Sequence, residues 1–269
     1  FREDEGDLLI ADWGNCSVRR LANGVVTTLI PSVFADVGSP VDVATDAEGN
    51  IVICVQNKHR IYLAKPDGTN VAVIAGTGTL GHINGSGTAA QFNRPNALAV
   101  IGNTILVADG FNRAIRTVRY TGVGDRFSAA SYVVLDLFIA DLPLWDVAVD
   151  HLGNIFFFCE DSGMGAGRIM IVPRDATTGY TIAGSNVAGH ANGRGDVATF
   201  TNIQSLAIGP DGVLYVGEGN ESGRLRRVRR VGNDLTNPTS WRVDTLVGPC
   251  DAAYDSSDGD EDSATASGI

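Results

Sequence analysis

The chain has 269 residues, 44% of them apolar and 7% aromatic, with 33 Gly and a formal charge of −11. So acidic a chain lacks the basic surface that phosphate contacts need, which excludes nucleic acid as a main partner. No apolar run reaches the roughly 18 residues that span a bilayer as a helix, and the apolar fraction is too high for a disordered chain. Asp outnumbers Glu 24 to 7, and Arg outnumbers Lys 18 to 2. Asp and Gly suit turns whereas Glu and Lys suit helices, so the composition points to many turns and few helices.

Taken in chain order, residues 7–21 (DLLIADWGNCSVRRL) predict a strand, a short polar turn and a second strand. The same unit returns at 50–63, 103–118, 154–172 and 212–228, which makes five β-hairpins. Another strand precedes the hairpin at 40–49, 95–103, 144–153 and 204–212, joined to it by a tight Asp/Gly turn. A fourth follows at 24–30, 70–76, 131–137, 179–184 and 241–248. No segment keeps a helical period. A four-stranded antiparallel unit repeated along the chain predicts an all-β fold, a β-propeller of five to six blades, because ring closure covers both apolar faces of each small sheet. The expected single domain has blades at about 1–35, 36–75, 76–140, 141–183 and 184–248.

The segment 76–118 (GTGTLGHINGSGTAAQFNRPNALAVIGNTILVADGFNRAIRTV) resembles an NHL repeat, and 184–228 resembles it nearly as well. The features shared are the Gly-rich linker, the A-x-F step, the strand ending V-A-D, the turn Asn and the R-x-V ending. The other copies are more degenerate, with Val55 where Asp12 and Asp109 stand. The resemblance covers essentially the whole chain. It implies a propeller, commonly six-bladed, but such repeats serve as scaffolds, binding modules and, rarely, enzymes. Alignment on V-A-D puts Phe1 inside an innermost strand, while 256–269 resembles the linker 82–92. Residues 249–269 therefore read as a linker towards a closing blade or a next repeat. A longer parent chain, a returning C-terminal linker, or a strand from another molecule would each complete the first blade.

Four cysteines occur, with no metal-binding spacing. Cys54 and Cys159 fall in second strands and read as small buried apolar side chains. Cys16 lies in a turn and Cys250 in a linker on the same expected face, so a Cys16–Cys250 disulfide is expected if the ring closes; a Cα separation above about 7 Å would exclude it. The sequons at Asn15, Asn84 and Asn220 are no more frequent than chance, yet all fall on turns or linkers of that face, where glycans would fit a secreted protein.

His82 and His190 share one linker position. They read either as a paired ligand or metal site on that face or, more economically, as a structural repeat position; a third matched His, needed for zinc, is missing. Asp42 and Asp146 align at the start of innermost strands. They could hold Ca²⁺ near the central channel, or hydrogen-bond a neighbouring blade. No resident cofactor is otherwise expected. The acidic stretch 251–263 departs from EF-hand spacing and reads as a solvated linker. Arg19, Arg116 and Arg226 align opposite Asp12, Asp109 and Glu218 across one hairpin each, which predicts a cross-strand ion pair. Trp13 and Phe111 are apolar residues in turns, where they would serve a partner or glycan surface or pack over the adjacent linker.

Together these features predict an extracellular or cell-surface propeller. It would be a non-catalytic binding or structural module for protein or glycan partners, self-association included, alone or within a larger assembly. The alternatives are a hydrolase or lyase with a channel metal near Asp42 and Asp146, and a cytosolic interaction domain.

Overall fold

A computed structural model describes residues 7–31, 38–160, 165–219 and 223–248. The described residues form five antiparallel sheets, the five blades of a β-propeller. Blade 1 holds β1 (Leu8–Asp12), β2 (Ser17–Ala22) and β3 (Val25–Ile30). Blade 2 holds β4 (Asp42–Thr45), β5 (Ile51–Val55), β6 (Arg60–Ala64) and β7 (Ala72–Ala75). Blade 3 adds a two-residue strand, β8 (Gly85–Ser86), to β9 (Pro95–Ile101), β10 (Thr104–Asp109), β11 (Ala114–Tyr120) and β12 (Tyr132–Ile139). Blade 4 holds β13 (Leu144–Val149), β14 (Ile155–Glu160), β15 (Gly167–Val172) and β16 (Tyr180–Gly184). Blade 5 holds β17 (Gly193–Arg194), β18 (Ile203–Ile208), β19 (Leu214–Glu218), β20 (Arg224–Arg230) and β21 (Trp241–Val247).

Every strand expected from the sequence is present within a few residues. The short β8 and β17 were not expected: each linker pairs along the outermost strand of the blade it is about to enter, β8 on β12 and β17 on β21. Gly87 and Gly195 follow them at close approaches. A Cβ on Gly87 would sit 2.2 Å from the Ile74 carbonyl oxygen, and one on Gly195 1.9 Å from that of Ile182.

The core lies between blades, and the period-2 alternation of each strand divides its residues between two interfaces. Ile51, Ile53 and Val55 of β5 pack with Val18 and Ile30 of blade 1. Their neighbours Val52 and Cys54 pack instead with Leu98, Ile105 and Val107 of blade 3. Leu106, Ala108 and Ile115 of blade 3 meet Val147, Phe157 and Met170 of blade 4. Phe156, Phe158 and Ile169 meet Leu206, Val216 and Val228 of blade 5. Fully burying one such side chain stabilises by about 1.5–3 kcal/mol. Strands buried on both faces read as continuous apolar runs, which explains IVICV and IFFFC.

Two blade types alternate. At one register position on the third strand, just past the irregularity in its pairing with the fourth, blades 1, 3 and 5 carry Arg19, Arg116 and Arg226, while blades 2 and 4 carry Tyr62 and Met170. In return, the Asp at the start of the innermost strand is found in blades 2 and 4, as Asp42 and Asp146.

Candidate functional site

The expected cross-strand ion pairs form, and two of the three are far more than hairpin decoration. Arg116 Nη1 lies 2.8 Å from Asp109 Oδ2, with both side chains 0% exposed. Its guanidinium also donates to the carbonyls of Gln91 (3.1 Å) and Ile83 (3.0 Å) and to Asn84 Oδ1 (2.7 Å), and its Nε lies 2.6 Å from Asp136. The guanidinium stands 5.1 to 5.2 Å from a ring in both blades, Phe92 for Arg116 and Phe200 for Arg226. Arg226 repeats the arrangement with Glu218, the carbonyls of Thr199 and Ala191, and Asn192. Each buried arginine therefore clamps the incoming linker onto its blade, and the Asn and Phe of the A-x-F linker are its partners. Burial raises the Asp109 carboxyl above the usual range despite the Arg116 charge. Arg19 differs: it is 35% exposed and 3.5 Å from Asp12.

His82 and His190 take structural positions around these clamps. His82 Nε2 is 2.9 Å from Asp136, and His190 Nδ1 is 3.4 Å from Glu218. They serve different blades and do not come together. Burial alone would raise Asp136, but hydrogen bonds from His82 and Asn84 and the Arg116 charge bring it below its ordinary value. Among the described residues, no group of three or more His, Cys, Asp or Glu is placed to hold a metal ion.

Asp42 and Asp146 are the stitches between blades. Asp42 accepts from Val43 N (2.8 Å) and from Leu98 N of blade 3 (2.7 Å). Asp146 accepts from Val147 N (2.7 Å) and from Leu206 N of blade 5 (2.8 Å). Both oxygens of each carboxylate are thus held by backbone. Loss of surrounding water raises Asp42 to about 6 and Asp146 to about 7, outweighing those N–H donors, and the Asp42 charge adds to the rise at Asp146. Glu160 makes a third stitch, accepting from Ile203 N at 2.9 Å.

The turns between second and third strands are single 3-10 turns, Trp13–Asn15, Gln56–Lys58 and Gly110–Asn112, each closed by a left-handed residue: Cys16, His59 and Arg113. They share a face with the linkers: Phe111 N donates to Asn93 O, Asn112 Nδ2 to Gly81 O, and Arg94 N to His59 Nδ1. On this face Trp13 is 63% and Phe111 46% exposed. Phe111 is held between two groups. The Arg94 guanidinium stands 5.1 Å from its ring centre, and Trp145 of blade 4 meets it edge-on at 6.1 Å. Sequence reasoning missed Arg94 and Trp145, because no local pattern tells that the start of one blade's inner strand lies beside the previous blade's turn.

The remaining expected positions are placed as follows. Asn15 is exposed and donates to Asp12, and Asn84 lies between Arg116 and Asp136. Cys54 and Cys159 are buried, as expected; burial pushes the Cys54 thiol up and Cys159 to about 12. Cys16 is half-buried with Sγ 3.3 Å from Ser39 Oγ. Cys250, Asn220 and the stretch 251–263 lie outside the described residues.

No family model matches the sequence, and no curated protein matches it. Solved structures do share the fold. A nidogen/laminin complex aligns at TM-score 0.57 and 15% identity, over 88% of this chain and 76% of that one. A Bacteroides thetaiotaomicron protein of unknown function aligns at 0.61 and 14%, over 90% and 55%. Virginiamycin B lyase from Staphylococcus aureus aligns at 0.54 and 14%, over 89% and 66%. At such identities the likeness establishes the β-propeller fold, which is common to binding modules and enzymes alike.

Proposed function

We propose that this chain is an extracellular, NHL-type binding propeller that recognises a protein or glycan partner through its turn-and-linker face, without catalysis. The observation that carries this reading is the pair of exposed aromatics, Trp13 and Phe111, on a shared face, one of them pre-ordered by Arg94 and Trp145. Aromatic and Arg side chains fixed before binding supply contact area at low entropic cost, which is the character of interface hot spots. The fold shared with nidogen, solved in complex with laminin, supports a protein partner. Glycans on Asn15 and a Cys16–Cys250 bond would accord with secretion.

The test is binding to a panel of immobilised extracellular-matrix proteins, laminin included, for the wild type and for Trp13→Ala, Phe111→Ala and Val123→Ala. Val123 is exposed in the β11–β12 loop, on the opposite face. The reading requires a binder in the panel whose affinity falls at least ten-fold with either aromatic removed and is unchanged by Val123→Ala. Equal losses for all three variants, or no binding at all, would overturn it.

A second reading, a hydrolase or lyase, is favoured by Asp42 and Asp146, carboxyls near the axis with pKa values of about 6 and 7. In it, a Ca²⁺ would have to compete with the backbone N–H groups that now hold both oxygens of each.

A further inference from the structure

Blade 1 repeats the half of a linker clamp that receives the linker. In blade 5, Asn192 of the linker accepts from Arg226 Nη2 and from Thr245 Oγ1, both at 3.0 Å, and the next residue, Gly193, pairs with Val243 of β21. In blade 3, Asn84 accepts from Arg116 Nη2 at 2.7 Å and Gly85 pairs with Val134 of β12. Blade 1 sets Arg19 opposite Thr28, as blade 5 sets Arg226 opposite Thr245. Its Val26 holds the strand position of Val134 and Val243. The faces around the clamps differ. The cross-strand triples Ile105–Val118–Val134 and Leu214–Val228–Val243 are buried, none of them more than 5% exposed. Their counterpart in blade 1 is Leu8–Leu21–Val26, where Leu8 is 39% and Val26 44% exposed.

We propose that Arg19 and Thr28 clamp the chain's own segment 258–266, laid over blade 1 as the linkers 84–92 and 192–200 are laid over blades 3 and 5. The three segments share one spacing. Asn84-Gly85, Asn192-Gly193 and Asp258-Gly259 are each followed, five residues beyond the glycine, by an alanine: Ala90, Ala198 and Ala264. Ala90 and Ala198 are buried in the clusters that hold the two covered triples, and Ala264 would cover Leu8–Leu21–Val26 in the same way. The reach is sufficient. Asn84 and Asn192 come eight residues after the glycines that end their fourth strands, Gly76 and Gly184, whereas Asp258 comes ten after Gly248. The two extra residues add about 7 Å of extended chain. A carboxylate suits the anchor, because Asp258 can accept from the Arg19 guanidinium and the Thr28 hydroxyl together, and charge-assisted hydrogen bonds are the stronger kind. Asp12 does not bar a second acid, since Arg116 already carries both Asp109 and Asp136. Two departures make this the weakest of the three clamps. Ala266 stands where Phe92 and Phe200 meet the guanidinium, and Glu261 stands where Gly87 and Gly195 fit against carbonyl oxygens. Loss of Arg19 therefore releases the segment and leaves the blade folded.

Two measurements on the whole chain test this. Thr28→Lys puts an amine beside the proposed place of Asp258, and Thr27→Lys puts one on the other side of the same strand, opposite Arg20. Zero-length carbodiimide coupling, read by mass spectrometry at low salt, should join the new amine of Thr28→Lys to Asp258 within one chain, at several times the yield from Thr27→Lys. The second measurement leaves Thr28 in place and follows cleavage after Glu261 by a glutamyl endopeptidase. The rate should rise several-fold in Asp258→Ala and in Arg19→Ala, and far less in Asp258→Asn, since Asn is the residue that the other two clamps hold. Far-UV circular dichroism confirms that each variant is folded. Equal coupling from the two amines in folded variants, or a cleavage rate indifferent to Asp258→Ala, overturns the proposal. Coupling only between isotopically distinct chains also overturns it, and assigns the clamp to the segment of a second copy.

Discussion

Removing Arg116 should cost far more than removing its aligned counterpart Arg19, and the difference is set by the neighbouring linker. Arg116→Ala leaves Asp109 fully buried without its cation and strips bonds from the carbonyls of Gln91 and Ile83, from Asn84 and from Asp136. Breaking a buried pair by deleting one partner costs about 3–5 kcal/mol. Whole-domain stabilities are about 5–15 kcal/mol, so a large share of the total is at stake. Arg226→Ala should cost a similar amount, since Glu218 is equally buried. Arg19 is 35% exposed at 3.5 Å from Asp12, and Arg19→Ala should cost no more than about 1 kcal/mol. Urea unfolding, followed by circular dichroism and tryptophan fluorescence together, measures all three. Copying blade 2 with Asp109→Val plus Arg116→Tyr should recover part of the loss, because the stranded charge goes while the linker carbonyls stay unpaired. Equal costs for Arg19→Ala and Arg116→Ala, or a cost under 1 kcal/mol for Arg116→Ala, would refute the linker-clamp reasoning.

Asp146→Asn should change the pH dependence of stability. A carboxyl raised from 3.8 to about 7 in the folded state favours folding only while protonated, so wild-type stability falls as pH rises from about 4 through 7. The shift of about three units corresponds to at most on the order of 4 kcal/mol, and the variant should lose that share of the slope while Asp42, raised to about 6, keeps its own; matching slopes for the two would contradict the assignment. Gly87→Ala and Gly195→Ala should each destabilise by about 1–3 kcal/mol through the backbone clash, whereas Gly14→Ala, with nothing within 4 Å, should be nearly neutral in the same unfolding assay. Peptide mapping of the native protein without reduction should find Cys16 joined to Cys250; two freely alkylated thiols would exclude that bond.

The repeat, the hairpins and the Arg–acid pairing were legible in the sequence because they are local: alternation, turn residues and register are written within some twenty positions. What Arg116 does with its other donors was not, because Ile83, Asn84 and Gln91 lie 25–33 residues away and approach only when β8 pairs with β12. Asp42 and Asp146 stand out in the sequence, and bonds to a neighbouring blade are one of two readings open there. Choosing between them needed Leu98 and Leu206, 56 and 60 residues distant. The alternation of Arg with an uncharged residue, Tyr62 or Met170, at one third-strand position was in the sequence throughout, but it shows only when blades are compared in pairs. The left-handed residues Cys16, His59 and Arg113 were not foreseen because Gly, the usual marker of positive φ, is absent there.

The central claim is that the turn-and-linker face binds the partner, and amide hydrogen exchange of the bound complex tests it most directly. The account predicts added protection at 13–16, 56–60, 77–84 and 110–113, with the β11–β12 loop around Val123 unchanged. Protection confined to the strand starts at Asp42 and Asp146, or to the Val123 side, would contradict it.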